Sequence, residues 1–376
     1  MKGWYGIMTN LFDSMEINIG PQHPSTHGVL RLILELDGEM IKSCRPDIGY
    51  LHRGIEKMAE TRSYLQYLPV VDRIDYLGGF FNSYAYCDCI ENLASIDVPE
   101  KAKYIRVMCM ELNRIASHLL WLGTFMLDLG ASSPLFYCFR DRERILHIFE
   151  ELTGQRMMYN YFTFGGVRFD IPDCILDSIL KFVKDMPSCI QDYKNIITDN
   201  PIFISRCKNK GILTKKNALQ FAITGPNLRA SGVNIDFRKT NPYLIYDKLN
   251  FETAFETSGD AYSRYMVRIF ELYSSLKIVE QCVEYIKNSS GDVLNKSFKP
   301  IMLHITNSEY TSSVEAPRGL TSCTVKAGGE KPYRVKWRTG SYYSVQVLPV
   351  LLSNAELPDL MPIFGSLDVI LPEVDK

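Results

Sequence analysis

Apolar and polar residues alternate through residues 13–46, then fall into a spacing of three and four, and alternate again only beyond residue 310. The first stretch predicts a small antiparallel sheet. Its strands are Met15-Glu16-Ile17-Asn18-Ile19 and Val29-Leu30-Arg31-Leu32-Ile33-Leu34-Glu35-Leu36, followed by the turn Asp37-Gly38-Glu39 and Met40-Ile41-Lys42-Ser43-Cys44. After Arg45-Pro46 the period becomes helical. Residues 53–67, 72–95, 100–127 and 138–152 each predict a helix, with Pro69, Pro99 and Pro134 as breaks, and the period continues over 173–199 with an interruption at Pro187. Further on, Tyr262, Tyr265, Met266, Ile269, Leu272, Tyr273, Leu276, Val279, Val283 and Ile286 share one helical face, which is the stripe of a core helix. Alternation near 310–316, 321–327, 332–338 and 343–350 predicts a small β region with Gly328-Gly329 as a turn. The sum is an α+β chain: a long-helix bundle core with an N-terminal antiparallel β-sheet and a small C-terminal β region. It divides into an N-terminal sheet (1–52), a helical core (53–290) and a C-terminal α/β part (291–376) that completes the same globule.

Composition acts by exclusion. With 46% hydrophobic and 23% charged residues in 376 the chain is globular, and a net charge of -1 gives no electrostatic reason to expect nucleic acid or an anionic membrane surface. The stretch Leu119–Leu129 contains Thr124 and Asp128 and falls short of the roughly 20 apolar residues of a membrane helix. Met1 to Met8 is too short and interrupted for a signal peptide. A soluble protein, or one that docks on a membrane through something else, is expected. The ten cysteines form no C-x-x-C pair, so no zinc or iron-sulfur site carried by this chain alone is expected, and reduced thiols are. Phosphate-binding glycine loops are absent as well.

Chemistry concentrates in a few places. In Gly20-Pro21-Gln22-His23-Pro24-Ser25-Thr26-His27-Gly28 two histidines stand four apart in a loop stiffened by prolines and bracketed by glycines. That suits proton chemistry or metal binding, although no third and fourth ligand follow at metal spacing, and plain surface histidines are the other reading. Leu120, Thr124 and Asp128 share a helix face inside an apolar run. Asp128 is then either a helix-end residue facing water or a buried acid suited to exchanging protons. Tyr76 follows the charged Asp72-Arg73-Ile74-Asp75, and a buried phenol can donate a hydrogen bond to a carbonyl. The clusters at 140–144 and at Arg264 and Arg268 read as solvated or salt-bridged helix faces.

One family accounts for these residues together. The histidine loop with Val29-Leu30-Arg31-Leu32, Ile48-Gly49-Tyr50-Leu51-His52-Arg53-Gly54-Ile55-Glu56-Lys57, Asp72-Arg73-Ile74-Asp75-Tyr76, Arg114-Ile115-Ala116-Ser117-His118-Leu119, Leu127-Asp128-Leu129-Gly130-Ala131, Leu228-Arg229-Ala230-Ser231-Gly232-Val233, Lys331-Pro332-Tyr333-Arg334, Gly365-Ser366-Leu367-Asp368 and Glu373-Val374-Asp375 run in order along nearly the whole chain. They resemble the 49 kDa subunit of respiratory complex I, the NADH:quinone oxidoreductase, which is related to the large subunit of nickel-iron hydrogenases. The resemblance implies a hydrogenase large-subunit-like fold whose metal cavity, its C-x-x-C pairs lost, has become a quinone pocket. It implies that His27 and Tyr76 hydrogen-bond the quinone, that Asp128 partners the histidine, and that His23, Leu120 and Thr124 line the cavity. Arg53 and Arg73 match arginines beside a terminal 4Fe-4S cluster held by a smaller partner subunit. Quinone is then the substrate, no cofactor is bound by this chain alone, and the partners are the cluster-carrying subunit, a 30 kDa-type subunit and membrane-arm subunits. The implied place is peripheral, on the cytoplasmic side of a bacterial inner membrane or the matrix side of a mitochondrial one, less readily the stromal side of a thylakoid. Ala116 to Gly123 and Arg156-Met157-Met158 also resemble a branch that takes electrons from ferredoxin and passes them to plastoquinone or menaquinone, which is the alternative. Met158 stands where many relatives have a histidine.

Overall fold

The computed structural model describes residues 15–23, 28–297, 303–306 and 308–376. Strands β1 (Met15–Ile19), β2 (Gln22–His23), β3 (Gly28–Val29), β4 (Arg31–Asp37) and β5 (Met40–Asp47) cover the first alternating stretch. β1, β4 and β5 pair antiparallel with β4 central, as the pattern predicts. Leu32, Leu34 and Leu36 fill the buried face of β4, the period-two signature. An unforeseen detail is the short β2/β3 ladder, in which Gln22 faces Val29 and His23 faces Gly28 across residues 24–27.

The helical stretch carries α1 (Ile55–Ala59), α2 (Tyr64–Val71), α3 (Gly79–Leu93), α4 (Glu100–Asp128) and α5 (Ser133–Thr153). Three expectations change. The helix over 53–67 is two helices, because Ser63 and Gln66 form a capping box that restarts the chain at Tyr64. Pro69 then lies inside α2 instead of ending a helix. Residues 72–78 are turns rather than helix, since the Asp75 carboxylate accepts from Leu77 N at 3.0 Å and the Asp75 carbonyl from Gly78 N at 3.1 Å. Pro99 does cap α4, and Pro134 sits in the first turn of α5, where a missing N–H costs nothing.

After the hairpin β6 (Phe162–Thr163) and β7 (Gly166–Val167), α6 (Asp173–Tyr193) runs straight through Pro187. Its apolar face, with Ile179, Phe182, Met186 and Ile190, is buried on both sides of the proline, and that burial outweighs one lost hydrogen bond. Short helices α7 (Pro201–Cys207), α8 (Lys215–Gln220), α9 (Gly225–Ala230) and α10 (Phe237–Thr240) lead to α11 (Ala261–Asn288). The predicted α11 stripe is real, but much of the rest of that helix is buried too, including Arg264, Arg268 and Glu271. Strands β8 (Glu309–Ala316), β9 (Gly319–Ala327) and β10 (Pro332–Arg338) form the expected antiparallel sheet, with Gly328 and Gly329 in the β9–β10 turn. The strand expected over 343–350 is instead α12 (Gly340–Gln346) and α13 (Leu348–Leu352), because Val345, Leu348, Leu351 and Leu352 bury at helical spacing. α14 (Leu360–Ser366) and α15 (Leu371–Asp375) complete the chain.

The larger hydrophobic core joins α2 to α6, α11 and the β8–β10 sheet. A second core joins β4 and β5 to α13, α14 and the last residues. Backbone bonds stitch that union: Ile41 N donates to Ala355 O at 2.8 Å and Leu357 N to Glu39 O at 2.8 Å. Of the two charged clusters, the one at 140–144 is salt-bridged as expected, and the one at Arg264 and Arg268 departs from the expected helix face. Arg264 and Arg268 are not on a solvated face but essentially inaccessible, and Arg264 donates to Gly259 O at 2.8 Å and Ser366 Oγ at 2.9 Å while Arg268 lies 4.5 Å from the Trp121 ring centre. At 140–144, Arg140 is half-exposed and pairs with a buried Asp141 at 2.9 Å. All ten cysteines are free, and all but Cys174 are buried.

Candidate quinone site and its charged surround

Tyr76 occupies the turn between α2 and α3, where the two aspartates before it are fixed by the fold. Asp72 is buried and accepts from the Ser83 hydroxyl, and burial pushes its carboxyl up to about 6. Asp75 is buried against Arg318, whose Nη1 lies 2.9 Å from Asp75 Oδ2 and whose Nη2 donates to Ser117 Oγ at 3.0 Å. Burial also raises the half-buried Tyr76 phenol, with Arg318 pulling it down and Asp75 and Asp368 pushing it up. The side chain is therefore a neutral O–H near neutral pH, a donor held beside charge.

Asp128 is the last residue of α4 and is half-buried, between the two readings open at the level of sequence. Its Oδ2 lies 3.7 Å from where a Cβ on Gly365 would be, and the same Cβ would fall 2.8 Å from Phe125 Cδ2, so only glycine lets α14 come this close to α4. Trp121 Nε1 locks the approach by donating to Gly365 O at 2.8 Å. One and two turns before Asp128, Thr124 and Leu120 are also half-buried, and the Thr124 hydroxyl donates back to Leu120 O at 3.0 Å.

The C-terminal segment 365–371 is the meeting point. Asp128 abuts Gly365, and Tyr76 lies in the field of Asp368, itself hydrogen-bonded through its N–H to Gly365 O at 3.3 Å. A Cβ on Gly28 would lie 2.9 Å from Leu371 Cδ1. His27 lies outside the described residues, but its neighbour Gly28 thus rests on the same segment. Of His23 the backbone pairing with Gly28 is described.

Arg53 and Arg73 come together: Arg53 Nη2 donates to Arg73 O at 2.7 Å, and Arg73 donates to Pro69 O. Arg53 is placed by the C-terminus, where the Asp375 carboxylate accepts from Gly49 N and Leu51 N, both at 2.8 Å. Arg73 and Met158 line one groove of about 390 Å³ with Asn160, Arg168 and the exposed Phe169.

Sequence reasoning assigned no role to the buried ions around this site. Arg318 reaches Asp368 at 3.6 Å, and Glu373 accepts from Gly340 N at 3.0 Å and the Ser341 hydroxyl at 2.5 Å. Deeper, Glu111 binds Arg114 at 3.1 Å and Arg238 at 3.2 Å, and Glu271 binds His118 at 2.8 Å. The one available signal was charge within otherwise apolar runs, as at Glu111 and Arg114 in α4. Among the described residues no group of three or more His, Cys, Asp or Glu could hold a metal ion, and no helix is long and apolar enough to cross a membrane.

Comparison with known proteins agrees with the resemblance. Residues 128–304 and 294–376 match the family described as respiratory-chain NADH dehydrogenase, 49 Kd subunit. The chain is 43% identical to the D component of the NADH-quinone oxidoreductase of Bacillus mycoides strain KBAB4, over 96% of this chain and 99% of that protein. It is 45% identical to the protein of the same name from Geobacillus kaustophilus, over 96% and 98%. The chain belongs to the family of the 49 kDa subunit of respiratory-chain NADH dehydrogenase.

Proposed function

We propose that this chain binds and reduces quinone in the peripheral arm of a proton-pumping NADH–quinone oxidoreductase. The observation that carries the reading is the convergence of Tyr76, Asp128 and the end of the histidine loop on residues 365–371. A quinone that takes two electrons becomes basic at both oxygens and needs two protons. Tyr76, neutral through burial, donates to one oxygen. His27 serves the other, with Asp128 as its acidic partner. His23, Leu120 and Thr124 line the pocket, and because the Thr124 hydroxyl is engaged within α4 its contribution to the ring is the methyl group.

Electrons arrive singly from a 4Fe-4S cluster held by the cysteines of a smaller partner subunit beside Arg53 and Arg73. Fixed positive charge there favours the reduced cluster and raises its potential. A 30 kDa-type subunit and membrane-arm subunits complete the surroundings, and the bacterial relatives favour the cytoplasmic face of an inner membrane. Those relatives are named for NADH, which supports an NADH-oxidising donor module over a ferredoxin-type one; a flavin subunit of the NADH-binding type co-purifying with the chain is the expected outcome. The site is tested by Tyr76→Phe in the assembled complex. Quinone reduction falls roughly 100-fold, within the range of a lost general acid, while assembly and cluster reduction stay intact. Unchanged quinone kinetics would refute the role given to Tyr76.

A further inference from the structure

The β8–β9 hairpin turns on two residues, Pro317 and Arg318, since Ala316 pairs with Gly319. Backbone fixes that turn from two sides. A Cβ on Gly225 would fall 2.3 Å from Gly319 Cα, and one on Gly340 would fall 2.3 Å from Arg318 O, so only glycine lets both segments lie against it. Leu320 N donates to Thr224 Oγ1 at 2.9 Å and pins the chain just beyond. From this anchor the Arg318 side chain, 2% exposed, reaches three separate parts of the molecule. Its Nη1 donates to Asp75 Oδ2 at 2.9 Å, Nη2 donates to Ser117 Oγ at 3.0 Å, and Nε lies 3.6 Å from Asp368 Oδ1.

Each of those parts carries a group of the candidate site. Asp75 precedes Tyr76 and shapes its turn by accepting from Leu77 N at 3.0 Å. Ser117 stands three, seven and eleven residues before Leu120, Thr124 and Asp128, which puts it at the buried end of the same α4 face. Asp368 belongs to the segment 365–371 and donates its N–H to the carbonyl of Gly365, the residue that Asp128 abuts, at 3.3 Å. A guanidinium is planar and presents its donors as a fixed fork, so contacts made by it hold their partners at set spacings; an ammonium on a flexible stem does not. We propose that Arg318 is the positioning residue of the quinone site, setting the Tyr76 turn, the Asp128 face of α4 and residues 365–371 against one another. This rests on the reading of Tyr76 and Asp128 as groups that serve quinone. Arg318 acts through the elements it holds, and misplacing reacting groups by about 1 Å costs on the order of 100-fold in rate.

The test is Arg318→Lys in the assembled complex, which keeps the buried positive charge and loses the fork. Rates are taken per assembled complex, so that a purely structural loss lowers yield and leaves them unmoved. Turnover with a short-chain quinone is expected to fall roughly 10-fold or more, with kcat and kcat/KM falling together as they do when alignment in the transition state is lost. The rate with ferricyanide stays at its wild-type value. A wild-type kcat per assembled complex, or a change confined to KM, overturns the proposal. Ser117→Ala removes one arm without leaving a buried charge unpaired, and decides the matter if Arg318→Lys does not assemble: kcat falls roughly 5-fold, the equivalent of one hydrogen bond, and a wild-type kcat overturns the proposal. In the double variant the two losses are expected not to multiply, because the lysine has already released Ser117; full multiplication contradicts a shared fork. Tyr76→Phe separates the two ideas. Full quinone reduction in that variant removes the site reading itself, whereas its loss together with wild-type kcat in Arg318→Lys and Ser117→Ala removes only the positioning role.

Discussion

Individual residues in this protein are set by charge held away from water. Glu111 illustrates the balance: burial pushes its carboxyl up, but Arg114, Arg238 and the hydroxyls of Ser275 and Tyr246 more than reverse that and hold it at about 2, below its ordinary 4.5. A depressed carboxyl contributes stability above its unfolded value and loses it as pH falls through the folded one. Melting temperature of the assembled complex is therefore expected to drop between about pH 4.5 and 2, and Glu111→Gln flattens part of that fall. An identical acid limb in the variant contradicts the assignment. Met158 makes a second case at this scale. Met158 shares a groove with Arg73, beside which the partner's cluster is proposed to lie, and a thioether takes up no proton when that cluster is reduced, so redox titration at two pH values should give a potential that barely moves. A slope near 60 mV per pH unit, the one-proton, one-electron limit, contradicts this.

Among the elements, α4 and the hairpin β6/β7 show how charge also fastens backbone. Arg106 of α4 grips Glu91 of α3 in a two-point pair at 2.9 and 2.6 Å and donates to Thr163 O at 2.8 Å and Gly166 O at 2.9 Å. Arg106→Leu leaves the buried Glu91 without its counter-charge, keeping only the Gly165 N–H at 2.8 Å, which costs about 3 to 5 kcal/mol; the measurement is the yield and melting temperature of assembled complex, and a loss below about 1 kcal/mol contradicts a buried clasp. Elements of this kind explain what was legible in the sequence. Long helices such as α4 and α11 and the alternating strands announced themselves, because burial of one face imposes a period. Residues 72–78 and 343–350 misled, because the aspartate that folds a turn back on itself and the second core that captures Val345 and Leu348 lie outside any local period. The site was legible only through resemblance: composition and spacing left Asp128 and Tyr76 undecided, and no pattern pointed to Arg318, whose partners Asp75 and Asp368 are far from it along the chain.

On the scale of the whole molecule, residues 365–375 hold separate parts of the fold together. The last residues join the second core, tie the segment before Arg53 through Asp375, and present Gly365, Asp368 and Leu371 to three separate parts of the chain. Gly365→Ala should therefore act at a distance from any surface: its methyl would meet the Phe125 ring at 2.8 Å, push α4 and Asp128 from α14, and raise KM for quinone with cluster reduction unchanged. A wild-type KM contradicts that coupling. Whether quinone sits where these parts meet is decided by photolabelling the assembled complex with a photoreactive quinone, followed by peptide mapping with and without excess competing quinone. Competed label is expected on peptides holding Tyr76, residues 120–128 or residues 365–371; competed label confined to other parts of the chain, or to other subunits, would contradict that placement.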